Sequence, residues 1–164
     1  MIPKPVRLIV RSRIEARAFD PEFRYLVISI SDPPPDGEKL KLPKRWGLFD
    51  PDKDVLHLEF HDIDVTRYDD AFFETAEKKY IAMHSFHAKQ IVKFLQTRLR
   101  EGVESVLVHC QAGVSRSPSV AMAIADCLGR SRNIIDWNPL DPNEDPPNLH
   151  VYETMIESLT GCSS

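Results

Sequence analysis

Residues 109 to 117 read His109-Cys110-Gln111-Ala112-Gly113-Val114-Ser115-Arg116-Ser117, which sets a thiol, small flexible residues and an arginine at the spacing a phosphate-cleaving site requires. Cys110 is the candidate nucleophile. A free thiol titrates near about 8.5, and a helix N-terminus with a neighbouring cation lowers that to roughly 3.5–7.5. The thiolate attacks phosphorus and forms a covalent phosphocysteine. Arg116 offers a planar fork for two phosphate oxygens and for the charge spread over them during transfer. Backbone N–H groups from Gln111 through Ala112, Gly113, Val114 and Ser115 to Arg116 are expected to turn inward as an anion cradle, with Gly113 adopting torsions that a side chain forbids. Ser117 is placed to donate a hydrogen bond to the sulfur and so ease its departure when water cleaves the intermediate. His109 reads as an orienting residue, since a thiolate needs no base. Arg116 and the loop amides supply the electrostatic stabilisation that a metal supplies elsewhere, so no metal and no other cofactor is expected.

Such a loop must be held between a strand and a helix. Val106-Leu107-Val108 is a short apolar run that predicts a buried strand immediately before it. Val120, Ala123, Ile124, Cys127 and Leu128 follow helical spacing after it, and Gly129 provides a stop. Further strands are predicted over Val6–Val10, Tyr25–Ile30 and Val55–Phe60, with a short helix around Ile14–Ala18. Ser85 reads as the cap of a helix whose buried stripe is Ala88, Ile91, Val92, Leu95 and Leu99, stopped by Gly102. A last helix sets Leu149, Tyr152, Met155, Ile156 and Leu159 on one face. The five prolines within 31–54 predict an irregular loop there. Alternating strands and helices favour an α/β fold.

The 109–117 run resembles the signature loop of the cysteine-dependent protein phosphatases, which have His-Cys, five residues, then Arg and Ser or Thr. Its Ala-Gly-Val-Ser-Arg-Ser form is most similar to the dual-specificity branch. Leu58-Glu59-Phe60-His61-Asp62 resembles the family's strand ending in a general-acid aspartate, and Pro147-Asn148 with the helix through Leu159 resembles its C-terminal helix. The likeness in organisation runs from Val55 to Leu159 and is loose before that. It implies a protein tyrosine phosphatase-like fold: a central, mostly parallel sheet flanked by helices on both sides. It also implies a metal-independent tyrosine or dual-specificity phosphatase acting on a phosphorylated protein or another phosphomonoester. Rhodanese-like sulfur transferases have a similar loop with a shorter Cys-to-Arg spacing. The neutral Gln111 and Val114 weigh against an inositol phosphate substrate.

On the resemblance, Asp62 protonates the leaving oxygen and then activates water. Asp64 is the second candidate. The segment 68–82 reads as an inserted helix or lid that would offer Asp69 or Asp70 instead, and all of these aspartates also suit helix caps and solvated turns. Two other classes compete with the enzyme: a phospho-binding module that has kept the loop without turnover, and a scaffold working through Pro33–Pro35 and Trp46. An RNA phosphatase of the same superfamily is a third alternative.

With 164 residues, 42% of them hydrophobic, the chain suits a single domain, 1–164, with a sizeable core. A net charge of −4 gives no sign of a nucleic-acid or membrane-surface partner. Lys39, Lys41, Lys44 and Arg45 cluster in one loop and read as an ordinary solvated face. Three cysteines with no pairing pattern suit a reducing compartment, and the N-terminal segment is too short for a signal peptide, so a cytoplasmic location is expected. His84 and His87 are three apart but lack further metal ligands, which favours capping roles. Trp46 and Trp137, in two long loops, are placed either to line a substrate groove or, more commonly for a loop tryptophan, to anchor the loop, and Phe72, Phe73 and Tyr80 read as the inner face of the 68–82 segment. Cys127 reads as core packing. Nothing in the sequence brings Cys162 within reach of Cys110, and oligomeric state is not encoded in any motif.

Overall fold

The computed structural model describes residues 2–5, 7–21, 23–33, 54–67, 80–99, 103–137, 141 and 143–160, with the backbone of 161–162. The lysine cluster, Trp46, Asp69, Asp70, Phe72, Phe73, Gly102 and most of segment 68–82 lie outside the described residues, as does the Cys162 side chain. The elements are β1 (Arg7–Ser12), α1 (Arg13–Ala18), β2 (Tyr25–Ser31), β3 (Val55–Glu59), α2 (Ser85–Arg98), β4 (Ser105–Cys110), α3 (Arg116–Cys127), β5 (Ile135–Asp136) and α4 (Leu149–Cys162). Single 3₁₀ turns occupy Val65–Arg67 and Arg132–Ile134.

The strands form one all-parallel sheet in the order β3-β2-β4-β1-β5, which makes this an α/β fold. Parallel strands covered on both faces need near-continuous apolar sequence, and every residue of β2 and β4 is buried. On one face Leu8, Val10, Leu26, Ile28, Ile30, Val106 and Val108 pack into the main core with the buried stripes of α2, α3 and α4. On the other, Ile9, Tyr25, Val27 and Leu107 pack against Ala16 of α1 and Phe19. Among the described residues no helix is long and apolar enough to cross a membrane.

This topology prepares a site. Strand β4 is flanked by β1 and β2, and the helices that follow β1 and β4 lie on opposite faces. The carboxyl end of β4 is therefore a switch point, where crevices form in open parallel sheets. Cys110 is the last residue of β4. The expected strand Val106–Val108 lengthens to Ser105–Cys110, and Val6–Val10 becomes Arg7–Ser12, because Arg11 and Ser12 pair with His109 and Cys110. Among the described strands only β5 had no sequence signal, since two residues cannot display a period.

Helix ends follow their local chemistry. Ser12 and Glu15 close a capping box at α1, with Glu15 N–H on Ser12 Oγ at 3.2 Å and Ser12 N–H on Glu15 Oε1 at 2.9 Å. Gly129 at φ +66° ends α3, with Arg130 N–H on the Ala125 carbonyl at 2.9 Å. The expected cap Ser85 is instead the first residue of α2. His84 takes the cap position, its N–H donating to His87 Nδ1 at 2.9 Å, so these two histidines serve the helix start.

At the opposite edge of the sheet Asp54 is fully buried and accepts from Arg24 Nη2 at 3.1 Å and Arg98 Nη2 at 2.9 Å, tying the start of β3 to β2 and α2. Removing one charge from a buried cluster leaves the others uncompensated. Asp54→Asn is expected to destabilise the fold by about 3 kcal/mol, the low end for a buried pair because Arg24 keeps part of its side chain in water. Thermal unfolding checks it, and an unchanged midpoint would refute the assignment.

Candidate active site

Cys110 is 2% exposed, and two groups meet its sulfur: the Gly113 N–H donates to Sγ at 3.3 Å, and Ser117 Oγ lies 3.1 Å away. Both are placed to hydrogen-bond a sulfur anion. Gly113 has φ +72°, and a Cβ there would sit 2.6 Å from Ser12 N and 2.7 Å from the Arg11 carbonyl carbon. The β1–α1 corner thus presses against the loop, and only glycine fits. Arg13 N–H on the Gln111 carbonyl at 3.2 Å fastens the same corner. Helix α3 begins at Arg116, directing its first N–H groups and positive end toward the loop.

Arg116 is 4% exposed, and its Nη1 donates to Asp32 Oδ1 at 2.8 Å and to the Phe60 carbonyl at 2.7 Å. Its Nε is buried and has no hydrogen-bond partner among the described residues. One corner of the fork is therefore fixed by protein while Nε keeps an unused donor. Such a donor is costly to bury unless an acceptor arrives.

Asp62 stands at the exposed rim just past β3, where its Oδ1 accepts from Ser115 Oγ at 2.7 Å and Asn148 Nδ2 at 2.8 Å. The structure thereby brings the resemblance's aspartate onto the cysteine loop. Asp64 is committed elsewhere. It is buried and accepts from Thr66 N–H and hydroxyl, from Leu149 N–H at 3.1 Å and from His150 N–H at 3.3 Å. Burial alone would raise its carboxyl, but these hydrogen bonds outweigh it and hold the group below its usual range. Asp64 anchors the start of α4.

His109 pairs in register with Ser29, and its Nε2 lies 2.7 Å from Ser29 Oγ. Burial pushes its titration down to about 4, so the ring is neutral at ordinary pH and spans two strands beneath the loop. Gln111, Ala112 and Val114 are exposed along the rim, and Ser115 is half-buried.

Three residues of the site were not tied to the cysteine loop by the sequence. Asp32 lies one residue beyond β2, inside the stretch read as proline-rich loop, and its place at the carboxyl end of a strand neighbouring β4 is visible only in the fold. Trp137 was expected to be an anchor, and its anchorage is the loop itself, with Nε1 on the Gly113 carbonyl at 2.9 Å. Asn148 was legible as a helix-start residue but not as the partner of Asp62. No protein-family model and no curated protein sequence matches this chain.

Proposed function

We propose that this chain is a metal-independent phosphomonoester hydrolase of the protein tyrosine or dual-specificity phosphatase type, working through a phosphocysteine intermediate in the cytoplasm. One observation carries the reading. A buried arginine at a helix start, held at Nη1 by Asp32 and Phe60, keeps an unsatisfied Nε donor six residues after a buried cysteine whose sulfur meets the Gly113 N–H and the Ser117 hydroxyl. That is a built anion site with a nucleophile in it.

The phosphate dianion is taken up by the loop amides and the free part of the Arg116 fork. Cys110 Sγ attacks phosphorus; the bond to the ester oxygen breaks, and Asp62 delivers a proton to the departing alcohol or phenol. Asp62, now a carboxylate, removes a proton from water as that water attacks the phosphocysteine. The P–S bond breaks, and Ser117 donates to the released sulfur. His109 orients and does not take part in proton transfer.

Hydrolysis of an aryl phosphate in excess EDTA tests the proposal, with vanadate expected to inhibit competitively. Loss of activity on chelation would overturn it, and vanadate binding without hydrolysis would mark a phospho-binding module instead. Asp62→Ala is expected to cut turnover of phenyl phosphate by about 100-fold, the scale of general-acid catalysis, and to cost far less with a dinitrophenyl leaving group that needs no proton. Equal losses on the two substrates would remove Asp62 from the acid role.

A further inference from the structure

Asp62 is held by a closed ring of hydrogen bonds. Its Oδ1 accepts from Asn148 Nδ2 at 2.8 Å; Asn148 N–H donates to Ser119 Oγ at 2.8 Å; Ser119 Oγ–H donates to the Ser115 carbonyl at 2.8 Å; and Ser115 Oγ–H returns to Asp62 Oδ1 at 2.7 Å. The ring joins three places far apart in the chain: the turn after β3, the start of α4, and the cysteine loop with the first turn of α3 that continues it.

Asn148 is its least replaceable member. It is 1% exposed, and every polar atom of its amide is used. Nδ2 has two hydrogens and two acceptors, Asp62 Oδ1 and the Ile63 carbonyl at 3.2 Å, while Oδ1 accepts from Val151 N–H at 3.1 Å. Turning the amide over would set oxygen against two acceptors and NH₂ against a donor, so the orientation is determined by its surroundings. Ser119 is fully buried and links Asn148 to the loop.

Both side-chain donors converge on the same carboxylate oxygen of Asp62, and among the described residues Oδ2 receives no hydrogen bond. In a protonated carboxyl the carbonyl-type oxygen accepts and the hydroxyl oxygen carries the proton. The ring thus leaves Oδ2 to bear the transferable proton. We propose that Asn148 is a positioning residue for the general acid, fixing Oδ2 as the donor atom and making the acid's aim depend on how α4 is docked. This rests on the phosphatase reading given above.

A double-substitution cycle separates positioning from mere capping. Asn148→Ser keeps a cap acceptor for Val151 N–H, adds no charge and gives up the reach to Asp62. It is expected to lower kcat for phenyl phosphate by about tenfold, and by much less for dinitrophenyl phosphate, because only the first substrate requires the acid. In an Asp62→Ala background the same change is expected to add less than about twofold on phenyl phosphate, since two residues acting through one step do not add. Ser119→Ala, which removes the link to the loop, is expected to show the same pattern with a smaller loss and serves if the Asn148 variant fails to fold. Equal losses on both substrates, or an undiminished loss in the Asp62→Ala background, would make Asn148 a structural cap only. Wild-type protein that hydrolyses neither substrate would instead sink the phosphatase reading and this inference with it.

Discussion

Cys110→Ser is expected to lower aryl phosphate hydrolysis roughly 10⁴-fold or more, the scale on which an enzyme loses its nucleophile, while vanadate or phosphate still binds. The substitution exchanges sulfur for oxygen and touches little else. The Gly113 N–H and the Ser117 hydroxyl, which face Sγ at 3.3 and 3.1 Å, remain to meet a serine hydroxyl, and Arg116 keeps Asp32 and the Phe60 carbonyl. What is lost is the sulfur nucleophile, because an alcohol gives up its proton far less readily than a thiol. His109 is held against Ser29 and so offers the serine hydroxyl no base. Kinetics on both proteins, with vanadate binding followed through the fluorescence of Trp137 on the Gly113 carbonyl, reads both halves of the expectation. A serine variant that still turns over would place the nucleophile elsewhere, and a variant that no longer binds vanadate would mean the loop itself had collapsed.

How much of this site the sequence displays depends on how local each part is. Cys110, Gly113, Arg116 and Ser117 lie within a single strand–loop–helix unit, so their types and spacing are read together, and the structure leaves them together. The buried stripe of α2 and the apolar runs of β2 and β4 are equally local, being patterns of one element. The strand order is not, because β4 finds its neighbours β1 and β2 across long stretches of chain and no residue names its partner. The missed site residues share that character. Asp32 meets Arg116 from 84 residues away, and Asn148 meets Asp62 from 86. Trp137 reaches Gly113 from 24, past a strand too short to be seen. What sets Asp62 apart from Asp64 in its contacts needed the fold as well. Two positions apart on one turn, the first points at Ser115 and the second at the N–H groups of Leu149 and His150. Both are acidic residues after a strand, and only tertiary contacts give them different work.

Arg116→Lys is the second large effect, expected to lower kcat/KM by about 10³-fold even though the charge is kept, as removing an oriented transition-state donor does. The guanidinium does two jobs at once. Nη1 is held by Asp32 Oδ1 at 2.8 Å and the Phe60 carbonyl at 2.7 Å, and this clamp aims the remaining edge, including the unsatisfied Nε. A lysine ammonium is a single point of charge on a flexible stem. If it stays with Asp32 and Phe60, the anion loses its donors; if it turns to the anion, a carboxylate and a carbonyl at the carboxyl edge of the sheet lose theirs. The planar fork resolves that conflict and the ammonium cannot, so the loss falls on kcat as well as on phosphate affinity. Asp32→Asn, which keeps an acceptor for Nη1 and removes the charge, is expected to cost only about tenfold, because a neutral hydrogen bond still orients the fork at roughly half the strength. Steady-state kinetics with phosphate inhibition constants for both variants checks the order. A lysine variant within tenfold of wild type would show that charge alone suffices and that the clamp at Nη1 does not aim the catalytic edge.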